Sequence, residues 1–305
     1  MNKNFSLSTS WNSGLHKDGF GIIEEIKRIG FDTVELNFAL TEAVVNDILR
    51  LKEDSKVKVS SLHNMCPLPK EISPKDASPD YYSLASSDRD ERALAVKIAK
   101  NTIDFARKFD AKAIVLHAGR IPIKDRMREL ARSFDDKDKF KILRGEMIKE
   151  REDGKNGRLA NVIKSLEELI PYAKTKDVAI GIENRYYYRE IPLIDELAAI
   201  FKKFKYGDLY YWHDVGHAEV FERLELVCHK DLLDKFSSRL IGIHLHDIIG
   251  LTGDHNPPGK GTFDFKIIKP YLSKDIIKVI EVHQPANAED VRKGTEYLTK
   301  ILEAR

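Results

Sequence analysis

The stretch "DERALAVKIAKNTIDFARKFDAKAIVLH", residues 90 to 117, joins a helical pattern to a strand pattern. Over residues 90–109 apolar side chains recur three or four positions apart, which predicts a helix with one buried face. Residues 113–117 form a short apolar run that ends in a histidine and predicts a buried strand. A helix followed at once by such a strand is the repeating unit of an α/β fold.

The same alternation runs along the whole chain. Apolar runs of strand length lie at residues 5–8, 33–36, 58–63, 113–117, 178–183, 209–214, 240–246 and 276–282. Amphipathic helical patterns separate them, at residues 21–30, 41–53, 90–109, 158–174, 191–204 and 288–304. Eight strands interleaved with helices predict an α/β protein with a single-domain (β/α)8 TIM barrel over residues 1–305. A doubly wound open sheet is the alternative fold, but no glycine-rich phosphate loop follows the first strand.

Two connections are longer than barrel loops usually are. Residues 64–88 are rich in proline and serine, and residues 120–157 are dense in charged side chains. The second excursion, which follows strand four, has helical patterns at residues 125–134 and 140–150. Long excursions are often lids or binding segments, and a solvated helical pair is the alternative interpretation.

The composition is that of a globular protein, with 42% hydrophobic and 33% charged residues. No apolar run approaches the roughly 20 residues of a transmembrane helix, and the first residues lack the apolar core of a signal peptide. We therefore expect a cytoplasmic protein with no membrane partner. Cys66 and Cys228 lie far apart, so reduced thiols are expected. The net charge of +2 gives no indication of a nucleic-acid partner.

Most histidines fall at or just after the predicted strand ends. They are His63, His117, His213, His217, His244, His246, His255 and His283, and the carboxylates Glu183, Asp214 and Glu281 join them. Any one of these residues could simply be a rim residue or a helix cap. In a barrel, however, all strand ends meet on one face, so together they predict a metal site. Mixed imidazole and carboxylate ligands suit Zn²⁺, Mn²⁺, Co²⁺ or Fe²⁺ better than Mg²⁺ or Ca²⁺.

Several motifs add a family resemblance. They are "GIENR", "HDVGH", "GIHLHDIIG", "DHNPPGKGTFDF" and "VIEVH". With them the chain resembles the xylose isomerase-like TIM barrel superfamily, in the sugar phosphate isomerase/epimerase branch that is related to endonuclease IV. The resemblance covers nearly the whole chain. It implies that Glu183, Asp214, His244 and Glu281 hold one divalent metal ion, and that Glu183 and Glu281 are the catalytic acid and base.

The endonuclease IV pattern implies further metal ligands at His63, His117, His217 and His255. All four histidines are present, but Gly253 stands where the endonuclease carries an aspartate, with Asp254 adjacent. The resemblance therefore implies one or two ions rather than three. Mn²⁺ or Zn²⁺ is the expected cofactor, with Co²⁺ or Fe²⁺ as alternatives.

The resemblance predicts an isomerase or epimerase. Its substrate would be a keto sugar or a related polyol or sugar acid, converted by proton transfer through a metal-bound enediolate. Trp11, Arg185 and His246 are the expected substrate contacts. His244 and His246 are two residues apart, so either could point into the barrel mouth. Such barrels are often dimers or tetramers, which makes a homo-oligomer a further expectation.

Two other functions remain open at this stage. The extra histidines favour a metal-dependent phosphodiesterase that cleaves damaged DNA, like endonuclease IV, but the small net charge argues against nucleic-acid binding. A binding protein with a relic barrel site is the third hypothesis. The complete Glu183, Asp214, His244 and Glu281 set argues against it.

Overall fold

The computed structural model describes residues 4–302, which form a closed barrel of parallel strands inside a layer of helices. The strands are β1 (Ser6–Ser8), β2 (Thr33–Leu36), β3 (Lys58–His63), β4 (Ala113–Leu116), β5 (Ala179–Glu183), β6 (Tyr210–Asp214), β7 (Leu240–Leu245), β8 (Asp247–Ile249), β9 (Gly253–Asn256) and β10 (Ile277–Ile280). The helices are α1 (Gly19–Arg28), α2 (Glu42–Glu53), α3 (Arg89–Lys108), α4 (Met127–Arg132), α5 (Lys137–Gly154), α6 (Arg158–Thr175), α7 (Ile194–Lys203), α8 (Val215–Arg223), α9 (His229–Phe236) and α10 (Ala288–Leu302).

The barrel closes between its first and last strands. β1 pairs with β2 on one side and with β10 on the other, and the full order is β1-β10-β7-β6-β5-β4-β3-β2. This closure excludes the open sheet and confirms the predicted (β/α)8 barrel. The last two residues of the predicted helix 288–304 lie outside the described part of the chain.

The helix predicted for residues 90–109 is present as α3. α3 begins after Asp88, whose side chain accepts hydrogen bonds from the backbone N–H groups of Asp90 and Glu91. Its buried residues include Val96, Ala99, Ile103 and Ala106, which recur at helical spacing on one face. That face packs on the barrel. No helix within residues 4–302 is long and apolar enough to cross a membrane.

Trp212 fills the barrel interior beneath the predicted ligands. Its ring lies among Val115, Val279 and other buried side chains, and its centroid is 5.2 Å from that of His244. A Cβ atom at Gly242 would come within 2.2 Å of the Trp212 ring, so only glycine leaves room for it. The barrel interior beneath the predicted ligands is therefore filled by side chains.

The charged excursion is a packed helical pair rather than a solvated one. Met127 and Leu130 of α4 and Phe140, Leu143 and Met147 of α5 are buried in a separate apolar cluster that includes Tyr188, Val220, Phe221, Leu224 and Ile248. The excursion is therefore anchored beside β5 and α8. It contributes to one side of the barrel mouth through Arg128, a residue of α4 that lines the cavity described below.

Three elements were not predicted. α8 and α9 lie between β6 and β7, and the antiparallel β8–β9 hairpin follows β7. α8 begins within the "HDVGH" motif, where glycine and valine lower the helix propensity. β8 has only three residues and β9 is entirely polar apart from its glycine, so neither gives a strand pattern.

Candidate metal and active site

The carboxyl ends of the barrel strands bring the predicted ligands to one mouth. His63 is the last residue of β3, Glu183 the last of β5 and Asp214 the last of β6. His244 lies one residue before the end of β7, and Glu281 directly follows β10. All five side chains are buried. The predicted convergence of these residues is therefore present in the fold.

His244 stands at the centre of three carboxylates. Its Nδ1 atom lies 2.7 Å from Glu183 Oε1, 3.0 Å from Glu281 Oε2 and 3.5 Å from Asp214 Oδ2. We call these four residues the central quartet. One imidazole nitrogen and three carboxylates around a single point are a donor set that suits Mn²⁺ or Zn²⁺. By the chemistry of its donors, the quartet fits the divalent ion that the resemblance implies.

Glu35 holds the other side of the His244 ring. Its Oε1 atom lies 2.9 Å from His244 Nε2, and its Oε2 atom accepts a hydrogen bond from Ser61 at 2.7 Å. A carboxylate bonded to Nε2 fixes the orientation of the ring, so that Nδ1 faces the three carboxylates of the quartet. Carboxylates that hydrogen-bond the second nitrogen of a metal-bound histidine have the same effect. The sequence analysis missed Glu35. Its signal was a charged residue inside the short apolar strand "TVEL".

The quartet has the electrostatics of a cation site. Burial raises the pKa of Glu183, but hydrogen bonds from His117 and His244 outweigh it and hold the pKa well below its usual range. For Glu281, too, burial raises the pKa and the charge of His244 more than reverses the effect. Burial lowers the pKa of His244, while Glu281 and Glu35 raise it well above its usual range. The buried carboxylates therefore stabilise positive charge at this point.

A second group of donors adjoins the quartet through Glu183. His63, His117 and Glu183, which we call the first cluster, bring ligand atoms within 4.8 Å of one another. The His63 and His117 rings are 4.7 Å apart, and His117 Nε2 lies 2.8 Å from Glu183 Oε2. His63 Nδ1 lies 2.8 Å from the backbone carbonyl of Asn64, to which it donates, so its Nε2 carries the free lone pair. Burial lowers the pKa of His63 to about 4.

A third group forms where β9 approaches α8. His217, Asp254 and His255, which we call the second cluster, also have ligand atoms within 4.8 Å of one another. Asp254 Oδ2 lies 2.9 Å from His255 Nδ1. The resemblance to endonuclease IV implied that one ligand is missing at this place, because Gly253 stands there. That inference needs a correction, because the neighbouring Asp254 brings its carboxylate to the two histidines.

His246 has no free nitrogen for a substrate. The backbone N–H of His255 donates to His246 Nδ1 at 2.8 Å, so Nε2 carries the proton and donates to Asp214 at 3.0 Å. Its ring is fully buried. A Cβ atom at Gly216 would lie 2.0 Å from this ring, which explains the glycine of "HDVGH". His246 thus positions Asp214, and its predicted role as a substrate contact needs a correction.

Trp11 also lies away from the site. Its side chain is 1% exposed and packs in the main hydrophobic core. Its indole N–H donates to the backbone carbonyl of Ala286 at 2.8 Å. With its ring enclosed and its polar atom paired, Trp11 supports the loop after β1, and the predicted contact with substrate needs the same correction.

A cavity of about 510 Å³ gives access to both quartet glutamates. Its wall is mostly polar or aromatic and consists of Phe38, His63, Ser78, Pro79, Asp80, His117, Arg128, Glu183, Arg185, Tyr186, Tyr187, Glu190, His217, Thr252, Asp254, His255, Glu281 and His283. A cavity of this size and polarity suits a small polar molecule.

Arg185, an expected substrate contact, lines this cavity, but its charge is already paired. Its guanidinium lies 2.7 Å from Glu183, 3.0 Å from Asp80 and 3.3 Å from Glu190. The sequence analysis assigned no role to Asp80 or Glu190, since both lie in irregular segments without a recognisable motif. With these partners Arg185 belongs to the wall of the site.

Comparisons with known proteins agree with this architecture. The chain is 27% identical over 212 residues to an uncharacterized protein of Methanocaldococcus jannaschii, covering 69% of this chain and 70% of that one. The solved structure of a D-tagatose 3-epimerase-like protein is 22% identical, with a TM-score of 0.69 over 98% of this chain and 97% of that one. The structure of 3-keto-D-glucoside 4-epimerase from E. coli is 14% identical, with a TM-score of 0.67 over 97% and 99% of the two chains. At these identities the two structural likenesses show a shared fold.

The family follows from the sequence itself. Residues 23–301 match the sequence profile of the xylose isomerase-like TIM barrel. This range runs from α1 to α10 and includes every residue of the central quartet and both clusters. The protein therefore belongs to the xylose isomerase-like TIM barrel family.

Proposed function

We propose that this protein is a divalent-metal-dependent epimerase or isomerase of a keto sugar or a related polyol or sugar acid. The observation that carries the proposal is the position of His244 Nδ1, within 3.5 Å of the carboxylates of Glu183, Asp214 and Glu281. A buried arrangement of this kind needs a cation, and its two glutamates reach the same cavity. The likeness in fold to a D-tagatose 3-epimerase-like protein and to 3-keto-D-glucoside 4-epimerase supports the proposal.

The cation would supply positive charge to the oxygen that becomes negative when the neighbouring carbon loses a proton. The chain's own residues would do the rest. Asp214 and His244 act as ligands only, because both are fully buried and neither lines the cavity. Glu35 and His246 hold these two ligands in position.

Glu183 and Glu281 are the proposed acid and base. Both line the cavity, and each has a pKa below its usual range, so both are ionised at neutral pH before substrate binds. One carboxylate would accept a proton from carbon, and the other would take a proton from solvent and return it to the substrate. The first carboxylate would then release its proton to solvent, which restores both ionised groups. Return to the same carbon from the other face gives an epimer, and return to the next carbon gives an aldose-ketose isomer.

The test is hydrogen exchange with solvent. A panel of ketoses, cyclitols, keto acids and their phosphates would be incubated in deuterium oxide with Mn²⁺ or Zn²⁺, and deuterium located by NMR. We expect deuterium at one carbon of one substrate class. Glu183→Gln and Glu281→Gln should each slow the exchange by roughly 100- to 10,000-fold. Unchanged turnover in both variants would rule out this acid and base.

A metal-dependent phosphodiesterase is the second candidate, favoured by one observation. Asp254 completes the second cluster with His217 and His255, so the chain offers donors beyond the central quartet and the first cluster. Clusters of metal ions stabilise the attacking and leaving oxygens in phosphodiester hydrolysis. Incubation with duplex DNA containing an abasic site separates the two candidates. Binding and strand cleavage would favour the phosphodiesterase and overturn the isomerase.

A further inference from the structure

Arg185 reaches directly into the first cluster. Its Nη1 atom contacts His117 Nε2 and lies 2.7 Å from Glu183 Oε2. These are two of the three donor groups that a metal ion would use between His63, His117 and Glu183. The side chain is 5% exposed, so the contact is a buried one.

The bond between His117 Nδ1 and Asp80 leaves only Nε2 of this histidine for a metal ion. His117 Nδ1 lies 3.1 Å from Asp80 Oδ2, and an ionised carboxylate only accepts, so Nδ1 carries a proton. His117 Nε2 lies 2.8 Å from Glu183 Oε2, and Arg185 Nη1 contacts both of these atoms. A metal ion bound to His117 and Glu183 would need the space that this guanidinium nitrogen occupies.

The charges around Arg185 are also those of a filled cation site. Asp80, Glu183 and Glu190 all lie within 3.3 Å of its guanidinium, and all three are buried. A buried carboxylate without a partner is strongly destabilising, so this group requires a positive charge. Arginine supplies it permanently, because its guanidinium does not lose its proton in proteins.

We propose that Arg185 is a built-in cation that takes the place of a divalent ion in the first cluster. The central quartet then binds metal, while His63, His117 and Glu183 together do not. Glu183 is shared, with Oε1 at 2.7 Å from His244 Nδ1 and Oε2 at 2.7 Å from Arg185. Arg185 is in this sense a positioning residue that fixes the orientation of the glutamate.

This inference rests on the proposed metal centre but not on the sugar chemistry. It also weighs against the phosphodiesterase, since a fixed guanidinium removes one of the three sites that such a reaction would use. The guanidinium does not occupy the His217, Asp254 and His255 group, because within the described chain Arg185 forms no hydrogen bond or ion pair with these residues.

The test counts bound ions. Full-length wild type and variants would be loaded with Zn²⁺, freed of excess metal and examined by native mass spectrometry. Arg185→Gln should bind one more ion per chain than wild type, because it removes the guanidinium from beside His117 and Glu183 and leaves the carboxylates uncompensated. Arg185→Lys keeps the charge and should match wild type. An equal count in wild type and Arg185→Gln, or an extra ion in Arg185→Lys, would overturn the inference.

Two further variants guard against misfolding. Arg151→Gln is the matched control, since Arg151 is an equally buried arginine whose partner, Glu196 at 2.7 Å, belongs to neither cluster. It should leave the ion count unchanged, and an extra ion there would show that loss of any buried arginine mimics the effect. His63→Ala tests the wild-type cluster without touching Arg185. Loss of one ion in His63→Ala would overturn the inference. His244→Ala tests the proposed metal centre separately, because this variant should lose one ion.

Discussion

Glu35 is the residue on which the orientation of His244 depends. Replacing it with glutamine keeps the size of the side chain but removes the negative charge that faces His244 Nε2 at 2.9 Å. We expect Glu35→Gln to weaken Mn²⁺ or Zn²⁺ binding by roughly 10- to 100-fold, as loss of an outer partner typically does. Isothermal titration calorimetry measures the change.

A matched glutamate-histidine pair lies away from the site. Glu25 Oε2 is 2.7 Å from His16 Nε2, beside α1. Glu25→Gln should leave metal affinity unchanged. Equal affinity in wild type and Glu35→Gln would show that Glu35 does not support the metal ligand.

Gly216 is required by the ring of His246. An alanine Cβ would lie 2.0 Å from His246 Cε1 and would displace the residue that positions Asp214. Gly216→Ala should lower the free energy of unfolding by about 1–3 kcal/mol, a typical cost of overpacking, and should weaken metal binding. Urea denaturation measures the first effect.

Gly145 provides the opposite case. It lies in α5, and an added Cβ would meet nothing within 4 Å. Gly145→Ala should stabilise the fold by about 0.5–1 kcal/mol, because alanine is the better helix former. A loss of stability at Gly145 as large as at Gly216 would contradict the steric explanation.

We expect the protonation of His244 to couple the proposed metal binding to pH. Burial lowers its pKa, but Glu281 and Glu35 raise it well above its usual value, so the metal-free imidazole is protonated at neutral pH. Its stabilising contribution to the metal-free fold is complete below its ordinary pKa and is lost as the pH rises through the raised one. A bound metal displaces the Nδ1 proton, so metal affinity should rise with pH, by up to about tenfold per unit. Calorimetry at a series of pH values would test this coupling, and an affinity independent of pH would contradict it.

At the scale of elements, the helical excursion should be part of the folded barrel. Phe140 of α5 is 1% exposed within the apolar cluster that contains Tyr188, whereas Ile142 is 64% exposed. Phe140→Ala should cost about 3–5 kcal/mol of unfolding free energy, and Ile142→Ala almost nothing. Equal and small effects in urea denaturation would indicate that the excursion does not pack as described.

Strong apolar periodicity predicted some helices and strands accurately, whereas elements without it were missed. β3 and the helix after it were predicted to within about one residue, because their apolar periodicity is strong. α8 was missed because Asp214, Gly216 and His217 at its start belong to the candidate site and give no helical pattern. β9 was missed for a similar reason, and with it the true place of Asp254.

At the scale of the whole molecule, barrel closure is what turns distant residues into one site. His63 and Glu281 are far apart in sequence, yet parallel strands that close on themselves end on one face. Once the eight strands were recognised, the convergence of the ligands followed from topology. The directions of the side chains did not follow, so the roles of Arg185, His246 and Trp11 could be read only from their contacts.

The proposal that the central quartet binds a divalent metal ion is tested most directly by anomalous X-ray diffraction from crystals of the wild-type protein grown with Mn²⁺. We predict an anomalous peak within coordination distance of His244 Nδ1 and the carboxylates of Glu183, Asp214 and Glu281. If a fully loaded crystal gave no peak among these four side chains, the metal-dependent mechanism proposed for this protein would be wrong.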